Sequence, residues 1–361
     1  MEILGLSWLS IVLSILIITI PAASMGFLGF GRKNHFPVNG RTVVITGGSQ
    51  GMGLCVAKLL ATKGANIVIV ARGVEKLKQA LAEISSSATN PQTQRFHYIS
   101  ADLKSSAEST RIVSEVTTWN NNTPPDIVWC AAGSSYPKLF LDTDIEGLRE
   151  QMDSNYWSAA YLAHAILKPW LHPTTDAPKP GSPQPPRHLI FTSSVLGFYP
   201  IVGYSSYAPA KSALRSLSDS LIQELNLYHP TTTPAIKVAT VFPATIFTPG
   251  YEQEMVTKPA ITKKLEEDDG GQTPEQVAAI SVCALEKGEY LITTGLLGSA
   301  MRGSAWGGSP RNSWWRDTAM SWITGLVWLF VQPDMDRKVR KYGKENGHPS
   351  TYPESAAAET K

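Results

Sequence analysis

Seven short, largely β-branched runs, each parted from the next by a longer stretch of helical spacing, limit what this chain can fold into. Thr42–Thr46 (TVVIT) and Asn66–Ala71 (NIVIVA) show no alternation of polar and apolar positions. Strands of that kind need cover on both faces. Gly53–Lys63 follows the first run, with Leu54, Val56, Leu59 and Leu60 facing inward on a helix, and Val74–Ser86 follows the second. The pattern continues through Phe96–Ser100, Asp126–Cys130, His188–Ser193, Lys237–Phe242 and Tyr290–Thr293. Apolar strands alternating with helices predict an α/β fold, a doubly wound parallel sheet over roughly residues 38–300. The proline-rich stretch 173–187 cannot be helix or central strand, so it reads as a surface insertion.

Outside that span the chain is less ordinary. Charged residues make up 17% of it, and Ile3–Ile20 is an almost unbroken apolar run ending at Pro21. About 20 helical residues cross a hydrocarbon core of about 30 Å. A cleaved signal peptide would want a positive start, whereas only Glu2 precedes the run. Residues 1–31 therefore read as an N-terminal transmembrane helix, and Arg32 and Lys33 beyond it place the remainder in the cytosol. Residues 314–341 form a second apolar region, with Trp314, Trp315, Trp322 and Trp328 around Ala319–Val331 and Arg337, Lys338, Arg340 and Lys341 after it. Such a helix either lies in a membrane interface or packs on protein. Residues 343–361 are polar and read as a disordered tail. A net charge of +2 gives no footprint for nucleic acid. Three scattered cysteines without a CxxC, and histidines without an HxxxH pair, argue against a disulfide framework and a metal enzyme.

The first strand runs straight into Gly47-Gly48-Ser49-Gln50-Gly51-Met52-Gly53 and then a helix. Gly47 allows the tight exit, Gly51 lets backbone approach a pyrophosphate, and Gly53 permits close helix packing. Ser49 and Gln50 border the same turn, and the helix start offers N–H donors to phosphate. Glycines alone would also suit any turn needing positive φ, but placed between the first strand and the first helix they read as the dinucleotide cradle of a Rossmann-type domain. After the second strand comes Arg72, then Lys76 one helical turn later. A carboxylate there would hold a ribose 2′-hydroxyl, whereas two cations suit a 2′-phosphate, so the pair argues for NADPH. Asp102 and Leu103 follow the third strand as an adenine-edge contact, although Asp102 would also serve as a helix cap. Cys130-Ala131-Ala132-Gly133 closes the fourth strand with small residues.

Tyr207 and Lys211 stand four residues apart on one helical face, and Ser194 ends the fifth strand thirteen residues before the tyrosine. Reduction of a ketone leaves an alkoxide that needs a proton. A free phenol, with a pKa of about 10, exchanges protons poorly near neutrality, and a nearby ammonium would draw it down. The serine hydroxyl would polarise the carbonyl. Asn155 could hold a water behind Lys211, or be an ordinary polar helix residue.

In this order, TGxxxGxG, CAAG, strand-end serine and YxxxK resemble the short-chain dehydrogenase/reductase family over roughly residues 40–295. The resemblance implies Ser194 as carbonyl polariser, Tyr207 as proton donor and Lys211 as the cation beside it, touching both phenol and nicotinamide ribose. Ser193 is adjacent and competes for the serine's role. It also implies a homo-oligomer paired through the helices around Asn155 and Tyr207.

The later segments narrow the choice. Thr248-Pro249-Gly250-Tyr251-Glu252-Gln253-Glu254, then Thr257-Lys258-Pro259 and Pro274-Glu275-Gln276-Val277-Ala278, resemble the 3-ketodihydrosphingosine reductases of sphingolipid synthesis. One departure is Pro243-Ala244-Thr245-Ile246, where those reductases carry PPDTD. The resemblance implies NADPH, a long-chain keto-lipid substrate drawn from a membrane, and residence in the endoplasmic reticulum. Thr248–Gly271 would then be the substrate lid. The run Glu266-Glu267-Asp268-Asp269 could attract a substrate ammonium, but as a charge run it reads first as solvated loop and is not counted as a site. Two other readings stand beside it. One is a membrane-bound reductase of steroids, retinoids or 3-ketoacyl groups, and the other is a cofactor-binding scaffold without turnover. The acceptor pattern Asn121-Asn122-Thr123 should stay unglycosylated if the domain is cytosolic.

Overall fold

A computed structural model of the chain describes residues 33–172, 184–228, 234–267 and 269–352. The expected transmembrane segment and most of the proline-rich insertion lie outside these residues.

The seven runs form one parallel sheet: β1 (Thr42–Thr46), β2 (Asn66–Ala71), β3 (Phe96–Ser100), β4 (Ile127–Cys130), β5 (Arg187–Thr192), β6 (Ile236–Phe242) and β7 (Leu291–Thr293). Their order is β3-β2-β1-β4-β5-β6-β7, and every pairing is parallel. The fold is Rossmann-type, as expected, and each strand lies within a residue or two of its predicted position.

Side-chain alternation explains why the strands are apolar throughout. Val43, Ile45, Ile67 and Ile69 point to one face, where they meet α1 (Gly51–Thr62), α2 (Val74–Ser86) and α9 (Pro274–Lys287) through Val56, Leu60, Leu77 and Val282. Val44, Val68 and Val128 point to the other. There they meet α3 (Ser106–Trp119), α5 (Ser158–Leu171) and α6 (Ala208–Tyr228) through Ile112, Val116, Leu162 and Leu214. Each apolar side chain buried in this way contributes about 1.5–3 kcal/mol. The strand order reverses between β1 and β4, which opens a crevice at the carboxyl ends of the strands.

Between β4 and α5 lies α4 (Ile145–Met152), capped by Asp144 and followed by a π-helical turn at Asp153–Trp157. The expected lid is not a bare loop. Thr248 caps α7 (Pro249–Thr257), accepting from the Tyr251 N–H at 3.1 Å, and α8 (Ala260–Leu265) follows directly.

The C-terminal region is longer and more ordered than expected. After α10 (Leu296–Ser304), α11 runs from Trp314 to Asn346, and a 3-10 turn at Pro349–Thr351 brings Tyr352 edge-on to Tyr342 at 5.8 Å. The tail expected to be disordered from residue 343 is therefore structured to Tyr352, because a helix backbone continues through it and a ring packs back. One face of α11 packs on the domain: Trp328 stacks on Tyr199 at 4.5 Å, and Thr324 is buried against Gly303. The opposite face leaves Trp315, Trp322, Leu326 and Leu329 exposed. In the basic stretch, Arg337 and Lys338 pair with Asp334 and Lys341 pairs with Glu345. No helix among the described residues is long and apolar enough to cross a membrane.

Candidate active site

A cleft of about 950 Å³ lies along the carboxyl ends of the strands. Among the residues singled out from sequence, it gathers Gly47, Ser49, Gln50, Gly51, Gly53, Arg72, Lys76, Asp102, Leu103, Ser193, Ser194, Tyr207 and Lys211 along its walls. Asn155 is buried just behind it, bonded to the lining residue Ser134.

At its amino-terminal wall the β1–α1 turn has little room for side chains. Gly47 sits at φ +67°, and a Cβ there would come within 2.9 Å of the Ala132 Cα. A Cβ on Gly53 would collide with the Gly47 carbonyl, so the third glycine seats the helix against the turn itself. No side chain caps the start of α1, which leaves its positive end facing the cleft. Thr46 ties β1 to β4: its Oγ1 accepts from the N–H groups of Ala131 and Ala132 at 3.0 and 3.1 Å. That link went unread in the sequence, where a strand-end threonine carries no special signal.

Arg72 and Lys76 lie exposed on the same wall, and Lys76 Nζ donates to Gln50 Oε1 at 3.1 Å. Asp102 is not a helix cap, since Ser105 occupies that place at α3. Its Oδ1 accepts from the Lys104 N–H at 3.2 Å, so it shapes the turn beside the cleft. Glycine turn, uncapped helix start and two exposed cations fit a dinucleotide bearing a 2′-phosphate. Here a Cβ would fill the cradle.

At the opposite wall stand the two serines, which the structure separates. Ser193 is buried and donates its hydroxyl to the Lys211 carbonyl at 2.8 Å. Its proton is thus committed to backbone, contrary to the competing role open to it from sequence. Ser194 stands on the cleft wall with Tyr207, close enough to favour its phenolate, and its Oγ accepts from the Leu196 N–H at 3.2 Å.

Tyr207 sits at the start of α6, where its carbonyl accepts from the Lys211 N–H at 3.3 Å. The two side chains therefore share a face, with Lys211 Nζ 5.4 Å from the ring centroid. Lys211 Nζ also donates to the Thr192 carbonyl at 3.1 Å. Burial brings the Lys211 ammonium down to about 7. The phenol moves the other way. Burial raises Tyr207 above the ordinary tyrosine range, Glu254 adds to the rise, and the Ser194 hydrogen bond opposes it. The expectation that the ammonium would dominate and acidify the phenol is not met, because desolvation penalises both charged forms. Tyr207 is an acid held protonated at neutral pH.

Asn155 lies inside the π-helical turn, a distortion common at functional sites. Its Nδ2 donates to the carbonyls of Ser134 and Gln151 at 2.8 and 3.0 Å, and its Oδ1 accepts from the Ser134 N–H at 3.2 Å. The amide thus pins the β4 exit. A Cβ on Gly133 would lie 2.6 Å from Asn155 Oδ1 and 3.1 Å from Lys211 Nζ, so Asn155 and Lys211 border one small space that this glycine keeps open.

A further group brings together residues whose pairing the sequence did not show. Lys258 Nζ lies 2.9 Å from Glu254 Oε1 and 2.6 Å from Glu266 Oε2, while the Tyr204 hydroxyl donates to Glu254 Oε1 at 2.6 Å. Glu266 is therefore no part of a solvated loop: it is tied to a buried lysine. The sequence showed the TKP motif but not which carboxylates would close on its lysine.

The short chain dehydrogenase family profile matches residues 41–258. The 3-ketodihydrosphingosine reductase of Aspergillus fumigatus is 51% identical over 329 residues, covering 89% of each chain. That of Neurospora crassa is 43% identical over 332 residues, covering 92% of this chain and 90% of its own. Among solved structures, a short-chain dehydrogenase from Sphingobium yanoikuyae in complex with NADPH superposes with a TM-score of 0.57 at 22% identity, covering 71% of this chain and 88% of that one. L-Sorbose reductase from Gluconobacter frateurii, complexed with NADPH and L-sorbose, gives a TM-score of 0.58 at 21% identity, covering 73% and 98%.

Proposed function

The chain belongs to the short-chain dehydrogenase/reductase family, and on that premise we propose that it reduces 3-ketodihydrosphingosine to dihydrosphingosine with NADPH. The observation that carries the chemistry is the convergence of Ser194 and Tyr207 on the cleft wall opposite the glycine cradle, with Lys211 Nζ 5.4 Å from the centre of the phenol ring. The substrate is that of the fungal relatives.

Gly47, Gly51 and the open start of α1 would hold the pyrophosphate of NADPH, and Arg72 and Lys76 its 2′-phosphate. Bound there, NADPH supplies the hydride. The Ser194 hydroxyl donates a hydrogen bond to the substrate carbonyl oxygen and polarises it. Tyr207, protonated at neutral pH, passes its proton to that oxygen as negative charge builds there. The Lys211 ammonium steadies the phenolate left behind, and the space between Asn155 and Lys211 would take the water that returns a proton. Leu196, Ile201, Leu297 and Met301 line the same cleft with apolar surface suited to a long chain.

NADPH oxidation by purified protein in detergent, measured with a panel of ketones, tests this reading. Consumption of 3-ketodihydrosphingosine is expected; consumption of a steroid ketone in its place contradicts the assignment.

The membrane supplies such a substrate. The Ile3–Ile20 run is read as the anchor, in the endoplasmic reticulum with the catalytic domain in the cytosol. The exposed Trp315, Trp322, Leu326 and Leu329 face of α11 would rest in the interface. Self-association through α4–α6 belongs to the same reading. Asn121 lies on an exposed turn before β4, so a glycan at that residue in cells would reverse the orientation.

A further inference from the structure

Tyr204, Glu254, Lys258 and Glu266 form a charged quartet beside Tyr207. Lys258 is sealed, with 1% of its side chain exposed, whereas Glu254 and Glu266 keep 17% and 14%. Its ammonium packs over the rings of Tyr204 and Tyr251, at 5.6 and 5.1 Å from their centroids. Among the described residues it is the one cation within ion-pairing distance of either glutamate. Two carboxylates against one ammonium leave a net negative charge, and it is the carboxylates that line the cleft. The Tyr204 ring, bonded to Glu254, lies 6.1 Å from the Tyr207 ring, centroid to centroid. The charge is felt at the reacting group: Glu254 contributes to holding the Tyr207 phenol protonated.

A 3-ketodihydrosphingosine molecule is a long-chain 2-amino-1-hydroxy-3-ketone. Its ammonium is therefore on the carbon next to the carbonyl that Tyr207 must reach. We infer that Glu254, backed by Glu266 and fixed by Lys258 and Tyr204, binds the substrate's ammonium and so selects α-amino ketones over plain long-chain ketones. This rests on the proposed reading of the substrate and adds to it the residue that recognises the amine. Lys258 orients the pair and cancels part of their charge, which keeps two carboxylates tolerable in one place. Tyr204, a neutral donor, fixes the rotamer of Glu254 without cancelling its charge.

The test compares kcat/KM for 3-ketodihydrosphingosine and for 1-hydroxyoctadecan-3-one, which lacks only the amine, in the full chain with NADPH. Wild-type protein is expected to prefer the amine by about tenfold or more, the worth of one partly solvated charge pair beside the reacting centre. Glu254→Gln, which keeps the shape, should bring that ratio close to one, mainly through KM. Because that variant unbalances Lys258, Glu266→Gln is measured beside it and should lower the ratio in the same direction. A merely structural role would lower both substrates together and leave the ratio intact, and that result overturns the inference. So does a wild-type ratio near one, with the ketone-reductase reading surviving. If neither long-chain ketone is reduced, the substrate reading falls and takes the inference with it.

Discussion

Replacing Tyr207 by phenylalanine is expected to lower kcat for ketone reduction by about 10³-fold, within the 10²–10⁴ range of a single general acid. NADPH affinity should stay essentially unchanged, since the cofactor cradle is built from the β1–α1 turn, Arg72 and Lys76. The size of the effect follows from position: the phenol is the half-buried acid beside Ser194 and Lys211, and the neighbouring hydroxyls of Ser193 and Tyr204 have their protons committed elsewhere. Ser193 donates to backbone and Tyr204 donates to Glu254. The pH profile carries a second signature. Burial raises Tyr207, so its acid form persists through pH 7–9 and its titration should not shape the rate there. Lys211, lowered by burial to about 7, is the group that changes charge in that range. It is an ammonium below that value and neutral above it. A fall in kcat/KM as pH rises through about 7, absent in Lys211→Met, is therefore expected. Stopped-flow measurement of NADPH oxidation and fluorescence titration of NADPH separate these outcomes, and unchanged turnover in Tyr207→Phe would remove the mechanism.

The second large effect concerns the cofactor. Arg72→Glu is expected to reverse the preference between the two nicotinamide dinucleotides, weakening NADPH by about 100-fold or more. A charge-assisted contact to phosphate contributes about 1.5–3 kcal/mol, and the new carboxylate adds repulsion where it removes that contact. NADH should be used no worse and gain a partner for its ribose 2′-hydroxyl. Lys76 remains, tethered to Gln50 at 3.1 Å, so some discrimination should survive until it too is changed. Parallel kcat/KM values with NADPH and NADH measure the ratio directly. A ratio that does not move would place the 2′-phosphate elsewhere.

Much of this was readable from the sequence because it is local. Fully apolar strands such as TVVIT announce a sheet covered on both faces, and a glycine turn between the first strand and first helix announces its cradle. Tyr207 and Lys211 share a face because helix geometry puts them there. What could not be read depends on elements meeting in space. Ser193 and Ser194 are neighbours at one strand end, and only the placement of α6 sends the Ser193 hydroxyl to the Lys211 carbonyl and leaves Ser194 on the cleft wall with Tyr207. The direction of the phenol's shift was misjudged because a sequence shows the nearby cation but not the desolvation that outweighs it. Glu266 looked like one of four acidic loop residues until α7 and α8 folded Lys258 between it and Glu254. The π-helical turn at Asn155 has no compositional mark at all. The end of α11 was missed because polar residues at its carboxyl end read as tail, while i,i+3 and i,i+4 ion pairs line it as a helix.

The most direct test of the account follows the hydrogen itself. Purified protein is incubated with 3-ketodihydrosphingosine and NADPH dideuterated at the nicotinamide C4, and the lipid product is examined by mass spectrometry. The account predicts dihydrosphingosine carrying one deuterium on its C3 carbon, formed by wild-type protein and almost absent with Tyr207→Phe. An unlabelled product, or no product while the wild-type protein binds both molecules, would contradict it.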